Sequence, residues 1–433
     1  MRILVEPCAH GMVNVGDIAM LRVATARLRE LWPDAEIGVI TEVPDRLALH
    51  CPGTVPVPAE GRRVWLEEPH FGERIHGMLP AAAASGLGTL EEQVRRRWPS
   101  VASTTIRLRR RLRRLRNADL TEFLGWVYSA DLVVASGAGL LADPYAPRAR
   151  SVLELLETAI QRGSPTAMFG QGVGPFTDER MRAVARRVLP KVELIGLREE
   201  RSGRPELRAL GVEDWRMVTT GDDAIELALK QASNSRNEGG IGVSIRVARY
   251  SGVTEEALGA VASVLRRVAT RHGAELIPVP ISAYVKERDA TMIARVIEID
   301  EAAIPPLDTP AAVIDQVGRC RLVVTGSYHG AVFALAQGIP AVGLAGSEYY
   351  VAKFRGLAEQ FGGGCEVVGL DQPRLEARLE AAVEDGWRSM PALGPRLVQA
   401  AERQVAHGRD AYRDLHRIVT APRVEPVGGG SHA

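Results

Sequence analysis

The sequence predicts an α/β protein with two doubly wound, Rossmann-like domains and a central cleft. Short apolar runs alternate with helix-like segments along two stretches of the chain, as in parallel sheets covered by helices. A polar segment at residues 233–240, SNSRNEGG, separates the two stretches and is typical of a linker. Glycine-rich turns follow several of the apolar runs, where ligands bind in such sheets.

The first stretch opens as a strand, a loop and a helix. Residues 2–6 form the predicted strand, residues 18–31 have helical spacing, and the loop between them carries Asn14, Gly16 and Asp17. Asn14 or Asp17 caps the helix in one interpretation, and Asn14 and Gly16 contact a substrate in the other. Both roles are compatible, because ligand loops at strand ends also start helices. The later strands are predicted at residues 36–41, 131–136, 166–169, 194–197 and 217–219.

Glycines and one arginine follow these strands directly. Gly137 and Gly139 come after one strand, and Gln171 and Gly172 after the next, so the backbone there can approach a ligand closely. A tight turn with no ligand is the alternative. Arg198 ends the strand at 194–197, where side chains face the ligand crevice and a guanidinium suits phosphate or carboxylate. Residues 52–90 show no clear order of elements.

The second stretch repeats the alternation. Strands are predicted at 241–245, 275–279, 322–324 and 339–344, with helices at 255–272, 289–300, 310–319 and 331–337 and two more at 374–384 and 395–418. We therefore expect an N-terminal domain over 1–230 and a C-terminal domain over 238–392. A C-terminal helix over 393–420 is expected to pack back on the first domain, followed by a flexible tail over 421–433.

A strand, a glycine-rich turn and a helix occur together near residue 326. The apolar run at 322–324 leads into Gly326-Ser327-Tyr328-His329-Gly330, and helix-forming residues follow. Free backbone N–H groups and the positive end of the helix dipole make such a turn an anion site. His329 places a titratable side chain beside it.

These pieces together resemble the polysaccharide pyruvyltransferase family. The ordered set consists of Asn14-Val15-Gly16-Asp17, Ser136-Gly137-Ala138-Gly139, Gln171-Gly172-Val173-Gly174-Pro175, Arg198-Glu199-Glu200-Arg201-Ser202, Gly221-Asp222-Asp223-Ala224 and the stretch from Arg321 to Phe361. The resemblance implies a GT-B-like transferase that moves the pyruvyl group of phosphoenolpyruvate onto two sugar hydroxyls as a ketal. Many members carry an arginine two residues before the histidine, and Ser327 stands there in this chain.

The resemblance also implies roles for the residues above. His329, Asp17 and Asp222 are the candidate catalytic residues, with Glu199 as a further candidate base. The candidate donor-binding residues are Arg198, Arg246, Gly326, Ser327, Tyr328, Gly330, Glu348 and Lys353. The candidate acceptor or cleft residues are Asn14, Gly16, Gly137, Gly139, Gln171 and Gly172. We expect the acceptor on the first domain and the donor on the second.

Two other functions fit the same cleft. A nucleotide-sugar glycosyltransferase would use the glycine turn for a diphosphate, and Arg198, Glu348 and Lys353 suit either donor. The loss of the arginine at position 327 also fits a non-catalytic carbohydrate-binding relative. No metal is expected, because His and Asp ligands are not clustered in the sequence. Phosphoenolpyruvate would be a substrate, so no cofactor is expected.

Composition describes an ordinary soluble protein of the cytoplasm. The chain has 433 residues, 46% hydrophobic and 25% charged, with a net charge of +1. Its four cysteines form no C-x-x-C pair, which gives no support to zinc or redox motifs. The N-terminus resembles a first strand rather than a signal peptide, and no apolar run is long enough to span a membrane.

One basic segment stands out from this balance. Residues 95–116 contain ten arginines and no acidic residue, with leucines interleaved between positions 107 and 116. A solvated helix face is one interpretation. Contact of Arg107–Arg116 with an anionic glycan carrier or with lipid head groups at the inner membrane face is the other. Nucleic acid is not expected, because interleaved aromatic residues and a known binding module are missing.

Overall fold

The computed structural model describes residues 1–232, 239–246, 254–284 and 289–421. Most of the predicted linker, residues 233–238, and nearly all of the predicted tail, residues 422–433, lie outside the described residues. Two separate parallel sheets occur, each covered by helices. The predicted fold class is therefore confirmed.

The first sheet has eight parallel strands drawn from residues 2–219. Its order is β3-β2-β1-β4-β6-β7-β8, and β5 pairs with β6 outside this path. The central strands are buried along their whole length, as expected when helices cover both faces. The strands are β1 (Arg2–Glu6), β2 (Glu36–Thr41), β3 (Val55–Pro58), β4 (Leu132–Ala135), β5 (Ala138–Leu141), β6 (Thr166–Val173), β7 (Leu194–Leu197) and β8 (Met217–Thr219).

Eleven α-helices accompany these strands in the described part of the chain. They are α1 (Val15–Leu31), α2 (Pro44–His50), α3 (Ala59–Leu66), α4 (Glu73–Met78), α5 (Ala81–Arg97), α6 (Pro99–Leu112), α7 (Ala118–Ser129), α8 (Ala146–Gln161), α9 (Glu179–Val188), α10 (Gly203–Ala209) and α11 (Ile225–Gln231). Residues 52–90, for which the sequence predicted no order, hold β3 and the helices α3, α4 and most of α5.

The second sheet has five parallel strands in the order β10-β9-β11-β12-β13. The strands are β9 (Gly240–Ser244), β10 (Leu276–Pro278), β11 (Cys320–Thr325), β12 (Ala341–Ala345) and β13 (Cys365–Gly369). The helices are α12 (Glu255–His272), α13 (Asp289–Ile297), α14 (Pro310–Gly318), α15 (Tyr328–Ala336), α16 (Glu348–Phe361) and α17 (Leu375–Thr420). This order is one of the two common doubly wound arrangements.

The C-terminal region is one helix where the sequence predicted two. Helix α17 runs for 46 residues, contains Pro391 and Pro395, and includes the residues between the two predicted helices. Apolar packing on both sheets outweighs the lost backbone hydrogen bonds. Tyr412 of this helix stacks on Phe169 of the first sheet, with ring centroids 3.7 Å apart, and its hydroxyl donates to Asp223 at 3.0 Å. The end of α17 thus packs on the first sheet.

The basic segment is a helix only in its first part. Helix α6 ends at Leu112, and Arg113–Arg116 follow it. Arg109 and Arg110 turn inward and pair with Glu68, at 2.8 and 3.8 Å. Arg111, Arg113, Arg114 and Arg116 are exposed to solvent. The predicted exposure of this segment therefore applies to most of its arginines and not to all of them.

Candidate functional site

A cavity of about 690 Å³ lies where the strand order reverses in both sheets. In the first sheet the strands that follow β1 add on one side of it, and those that follow β4 add on the opposite side. In the second sheet the strand after β9 adds on one side, and the strands after β11 add on the other. Ligands bind at such switch points, because the loops after these strands diverge and leave a crevice. The loops after β1, β9 and β11 and strand β5 after β4 all contribute to the lining. We call this space the first cavity.

Most of the predicted catalytic and donor-binding residues meet at the first cavity. The predicted residues that line it are Asn14, Asp17, Gly139, Arg198, Arg246, Ser327, Tyr328, His329 and Lys353. They come from both halves of the chain, and the largest sequence separation among them exceeds 300 residues. Asp222 lies directly behind His329, buried from solvent. The site is therefore assembled by the packing of the two sheets.

Backbone hydrogen bonds join the two halves beside this cavity. The Val15 N–H donates to the Ile281 carbonyl at 3.0 Å, and the Ala283 N–H donates to the Val13 carbonyl at 2.8 Å. On the opposite side, the Tyr349 hydroxyl donates to the Gly139 carbonyl at 2.6 Å. These contacts fix the loops that carry the candidate site residues relative to each other.

Asn14 caps the helix that begins at the cavity. Its Oδ1 accepts hydrogen bonds from the N–H groups of Gly16 at 2.9 Å and Asp17 at 3.3 Å. This cap satisfies two of the free N–H groups of α1 and directs the first turn toward the cavity. Burial raises the pKa of Asp17, although His329 and Arg246 oppose the shift. Asp17 is thus a carboxyl group that holds its proton more strongly than an exposed one.

The His329 ring rests on Gly16 and faces Asp222. A methyl group on Gly16 would lie 2.1 Å from both Cγ and Nδ1 of the ring, so only glycine leaves room for it. The Nε2 atom lies 3.6 Å from Oδ2 of Asp222. Burial alone would raise the pKa of Asp222, but His329 and Arg198 hold it below its ordinary value. Asp222 is therefore an anion that orients the imidazole.

Two cations converge on Gly139. A methyl group at this glycine would lie 2.8 Å from Nη2 of Arg198 and 2.9 Å from Nζ of Lys353. Within the described part of the chain, neither side chain has an acidic group at ion-pair distance, and the buried Nε of Arg198 has no hydrogen-bond partner. Burial and then Arg198 lower the pKa of Lys353 well below its ordinary value, so a bound anion is what would favour its ammonium form. We call Arg198 and Lys353 the cation pair.

Aromatic rings hold the cation pair in place. The Arg198 guanidinium lies 4.2 Å from the centroid of the Tyr328 ring. The Lys353 ammonium lies 4.6 Å from the ring centroid of Tyr349 and 5.3 Å from that of Tyr350. Cation–π contacts orient a cation without neutralising its charge. The pair can therefore bind an anion that enters the first cavity.

The glycine turn after β11 offers fewer donors than its sequence suggested. The Gly326 N–H donates to the Ser244 carbonyl at 2.8 Å, the Ser327 N–H to Thr325 Oγ1 at 2.9 Å, and the Gly330 N–H to the Ser327 carbonyl at 3.1 Å. These three groups are used inside the protein and are not free for a phosphate. The expectation that these three N–H groups bind the donor phosphate is therefore wrong, whereas donor binding by the other residues of the turn stays a prediction.

Several predicted cleft residues have structural partners. The amide of Gln171 donates to the carbonyls of Ala135, Ser136 and Phe169. A methyl group on Gly172 would lie 2.5 Å from the Arg198 Nη2, so this glycine makes room for the guanidinium. Gly137 packs against the Met20 sulfur. Glu348 is exposed at the start of α16 and does not line the first cavity.

Arg148 lines the first cavity but was not predicted from the sequence. It pairs with buried Glu6 at 2.5 Å, and Arg62 pairs with the same carboxylate at 2.9 Å. Burial opposes ionisation of Glu6, but the two arginines lower its pKa far below the ordinary range. Arg148 lies within helix α8, 142 residues from Glu6, and no local pattern marks it. Cys8, Tyr145, Tyr284 and Tyr350 also line the cavity and were missed.

Arg148 also borders a second cavity of about 710 Å³. About half of its lining residues are charged, and most come from α5, α8 and α9, including Arg95, Glu154 and Arg187. Glu91 pairs there with His76 at 3.1 Å. Because the two cavities share Arg148, they adjoin each other on the first-domain side.

A protein-family model described as polysaccharide pyruvyl transferase matches residues 14–348, most of the chain. Comparison of the sequence with curated proteins found no match. In the described part of the chain, no three His, Cys, Asp or Glu side chains form a metal-binding group.

Solved structures with the same overall fold include sugar-nucleotide enzymes. The S. aureus MnaA structure solved with UDP has a TM-score of 0.56 at 12% identity, covering 99% of this chain and 100% of its own. The UDP-GlcNAc 2-epimerase of Neisseria meningitidis, bound to UDP-GlcNAc, has a TM-score of 0.53 at 11% identity, covering 97% and 100%. A glycosyltransferase of Rickettsia africae has a TM-score of 0.51 at 10% identity, covering 96% and 98%. At these identities the likeness establishes the fold, which is GT-B-like.

Proposed function

The chain belongs to the polysaccharide pyruvyl transferase family and is a transferase, and we propose that its donor is phosphoenolpyruvate. The proposed reaction moves the pyruvyl group onto two hydroxyls of a glycan or lipid-linked sugar, forming a ketal and releasing phosphate. The family supports the enzyme class and a sugar acceptor. The donor and the ketal are what the family resemblance implies, and the site supplies the charges that such a donor needs.

The observation that carries this proposal is the cation pair beside Gly139. Phosphoenolpyruvate is small and carries a phosphate and a carboxylate on neighbouring atoms. Arg198 and Lys353 approach one point without a paired acid in the described chain, so an anion there would gain two charge-assisted contacts. Arg148 and Arg246 also line the first cavity and add positive charge around it. This charge takes the place of the arginine missing at position 327.

The reaction requires a proton at the methylene carbon and a base for the sugar hydroxyls. Proton addition at the methylene carbon leaves a cationic centre on the neighbouring carbon. One hydroxyl attacks this centre through its oxygen, while its proton passes to the base. The bond to phosphate then breaks, the phosphate leaves with the bridging oxygen, and the second hydroxyl closes the ring with loss of its own proton. We assign proton transfer to His329 and Asp17, which line the same cavity.

Asp222 has a positioning role in this scheme. It does not line the first cavity, but its carboxylate faces the His329 ring at 3.6 Å. Burial would raise the pKa of Asp222, but the His329 ring and Arg198 outweigh this effect and hold the pKa below its ordinary value. Asp222 therefore holds the orientation of the imidazole that transfers a proton to the donor's methylene carbon.

The second cavity is the proposed route for the acceptor. It adjoins the first cavity at Arg148, and charged and polar side chains line it. A glycan presents many hydroxyl groups, which such side chains bind through hydrogen bonds. This placement agrees with an acceptor on the first domain and a donor at the interface of both sheets.

A nucleotide-sugar glycosyltransferase is the alternative. The observation in its favour is that structures of the same fold were solved with UDP or UDP-GlcNAc. The cation pair would then bind a diphosphate. The family membership and the small anion site next to Gly139 favour phosphoenolpyruvate.

Calorimetric titration distinguishes the two donors. We expect the wild-type protein to bind phosphoenolpyruvate, and Lys353→Met to weaken this binding by about 10–100-fold, since a charged hydrogen bond is lost. Lys191→Met, at an exposed lysine, is the matched control. Tight binding of UDP-sugars without binding of phosphoenolpyruvate would show that the proposal is wrong. Product analysis with a glycan acceptor then tests for the ketal.

A further inference from the structure

Helix α6 exposes an apolar stripe to solvent. Val101, Leu108 and Leu112 lie on one side of the helix by their spacing, and Leu108 and Leu112 are 58% and 79% exposed. Trp98, just before the helix, is also exposed. The opposite side buries Ala102 and Ile106 in the core. The helix is therefore apolar on two sides, and only one of them has a partner within the protein.

Exposed arginines surround this stripe. Arg97, Arg111, Arg113, Arg114 and Arg116 are all exposed, and no ion pair joins any of them to an acid of the described chain. The inward-facing Arg109 and Arg110 pair with Glu68, so the acids near α6 are already used on its buried side. The outer surface thus combines apolar side chains with uncompensated positive charge.

This combination matches the surface of an anionic bilayer. Leucine and tryptophan enter the boundary between head groups and acyl chains, while arginines attract the negative phospholipids. A water-soluble acidic partner would use the arginines, but it would leave the leucines without an apolar environment. In the described part of the chain, no helix has the length and apolar character needed to cross a bilayer. The relevant contact is therefore one that lies on the surface.

We propose that residues 97–116 dock the protein on anionic lipid membranes. This segment carries the apolar stripe and the five exposed arginines that have no ion pair in the described chain. Helix α5, which packs on α6, contributes Arg95 and Arg96 to the second cavity. Docking would therefore bring the proposed acceptor route close to the membrane, where lipid-linked sugars are found. The docking itself does not depend on which donor the enzyme uses.

Vesicle co-sedimentation without any substrate tests the proposal. We expect the full chain to bind vesicles of phosphatidylcholine that contain about 30% of the anionic lipid phosphatidylglycerol. It should bind vesicles of pure phosphatidylcholine poorly. The triple variant Arg111→Gln/Arg113→Gln/Arg114→Gln should weaken binding on the order of 100-fold. The double variant Leu108→Ser/Leu112→Ser should weaken it by at least about tenfold.

Matched controls separate the surface from general charge and apolarity. The triple variant Arg186→Gln/Arg396→Gln/Arg403→Gln removes exposed arginines elsewhere, and Leu49→Ser removes a leucine that is 71% exposed. Both should bind like the wild type. The proposal is wrong if the wild type does not bind anionic vesicles. It is also wrong if both docking variants bind these vesicles as well as the wild type does. Binding of heparin that depends on the arginines but not on the leucines, without vesicle binding, would identify a soluble polyanion instead.

Discussion

The imidazole of His329 lies directly on the backbone of Gly16, across the junction of the two sheets. A side chain at Gly16 would occupy the position of ring atoms Cγ and Nδ1, 2.1 Å away. Gly16 belongs to the first turn of α1, and His329 to the first turn of α15. Two helix starts from different halves of the chain thus define the position of the candidate acid. Any change at Gly16 must move the ring.

Gly16→Ala is therefore expected to lower turnover, even though alanine is the better helix former. The added methyl group displaces the ring, and a misplaced catalytic group can cost about 100-fold in rate. Overpacking at this buried position should also destabilise the fold by about 1–3 kcal/mol. Turnover with a glycan acceptor and urea unfolding measure the two effects. Gly259→Ala is the control, because nothing lies near its side-chain position on α12. Wild-type turnover in Gly16→Ala would contradict the role of His329.

Replacement of His329 tests proton transfer itself. His329→Gln retains hydrogen bonding but removes a titratable group, so turnover should fall by about 10²–10⁴-fold while donor binding changes little. Asp222→Asn should reduce turnover less, because Asp222 only orients the ring. His407→Gln, at an exposed histidine of α17, is the matched control. Steady-state kinetics and donor titration separate the two effects. An unchanged rate in His329→Gln would exclude it as the acid.

The fold was predictable because its signals are local. Alternating apolar runs and helices indicated both sheets, and strands β1, β2, β7 and β8 have the predicted bounds. The order within residues 52–90 was not predictable, since the short helices there lack clear periodicity and pack mainly on other helices, α3 on α7 and α4 on α5. The predicted gap between residues 384 and 395 was wrong, because tertiary contacts keep α17 helical there in spite of Pro391 and Pro395.

The candidate site was only partly predictable. Residues next to strand ends, such as Arg198 and His329, came together because parallel strands end at one edge of a sheet. Arg148 was missed because it lies inside a helix and its partner Glu6 is remote in sequence. The backbone hydrogen bonds that occupy the turn after β11 could not be foreseen, since they depend on how Ser244 of another strand packs beside Gly326.

Gly139→Ala tests whether the cation pair binds the donor anion next to Gly139. The new methyl group would lie within contact distance of the Arg198 and Lys353 nitrogens, at 2.8 and 2.9 Å. These are the far ends of long side chains and can move, so stability should remain close to wild type. Binding of phosphoenolpyruvate should weaken by about tenfold, because both charged contacts are displaced. Gly125→Ala, with nothing near its side-chain position, is the control. Unchanged titration curves would place the donor elsewhere.

Tyr412 tests how the end of α17 is held. Tyr412→Ala removes a buried ring that stacks on Phe169, and it should lower the free energy of unfolding by about 3–5 kcal/mol. Tyr412→Phe keeps the ring and loses only the hydrogen bond to Asp223, for about 1 kcal/mol. Urea unfolding measures both. Trp215→Ala, at a tryptophan that is 61% exposed, should change little. Equal losses in the two Tyr412 variants would show that stacking contributes nothing.

Glu154, in the wall of the second cavity, makes stability depend on pH. Burial raises its pKa from 4.5 to about 7, and Arg95, whose Nη2 lies 3.9 Å from Oε2, opposes the shift only in part. Because the folded state holds this proton more tightly than the unfolded state, the stabilising contribution is complete below pH 4.5. It is lost as pH rises through about 7, for a total on the order of 3 kcal/mol.

Glu154→Gln should therefore raise the free energy of unfolding at pH 8 relative to the wild type and leave it almost unchanged at pH 4.5. Glutamine has the shape of the protonated acid and carries no charge to bury. Urea unfolding of both proteins across this range gives the difference curve, which should rise between pH 4.5 and about 7. Glu179→Gln, at an exposed carboxylate on α9, should give a flat difference curve. A flat curve for Glu154→Gln as well would mean that Arg95 compensates the buried charge fully.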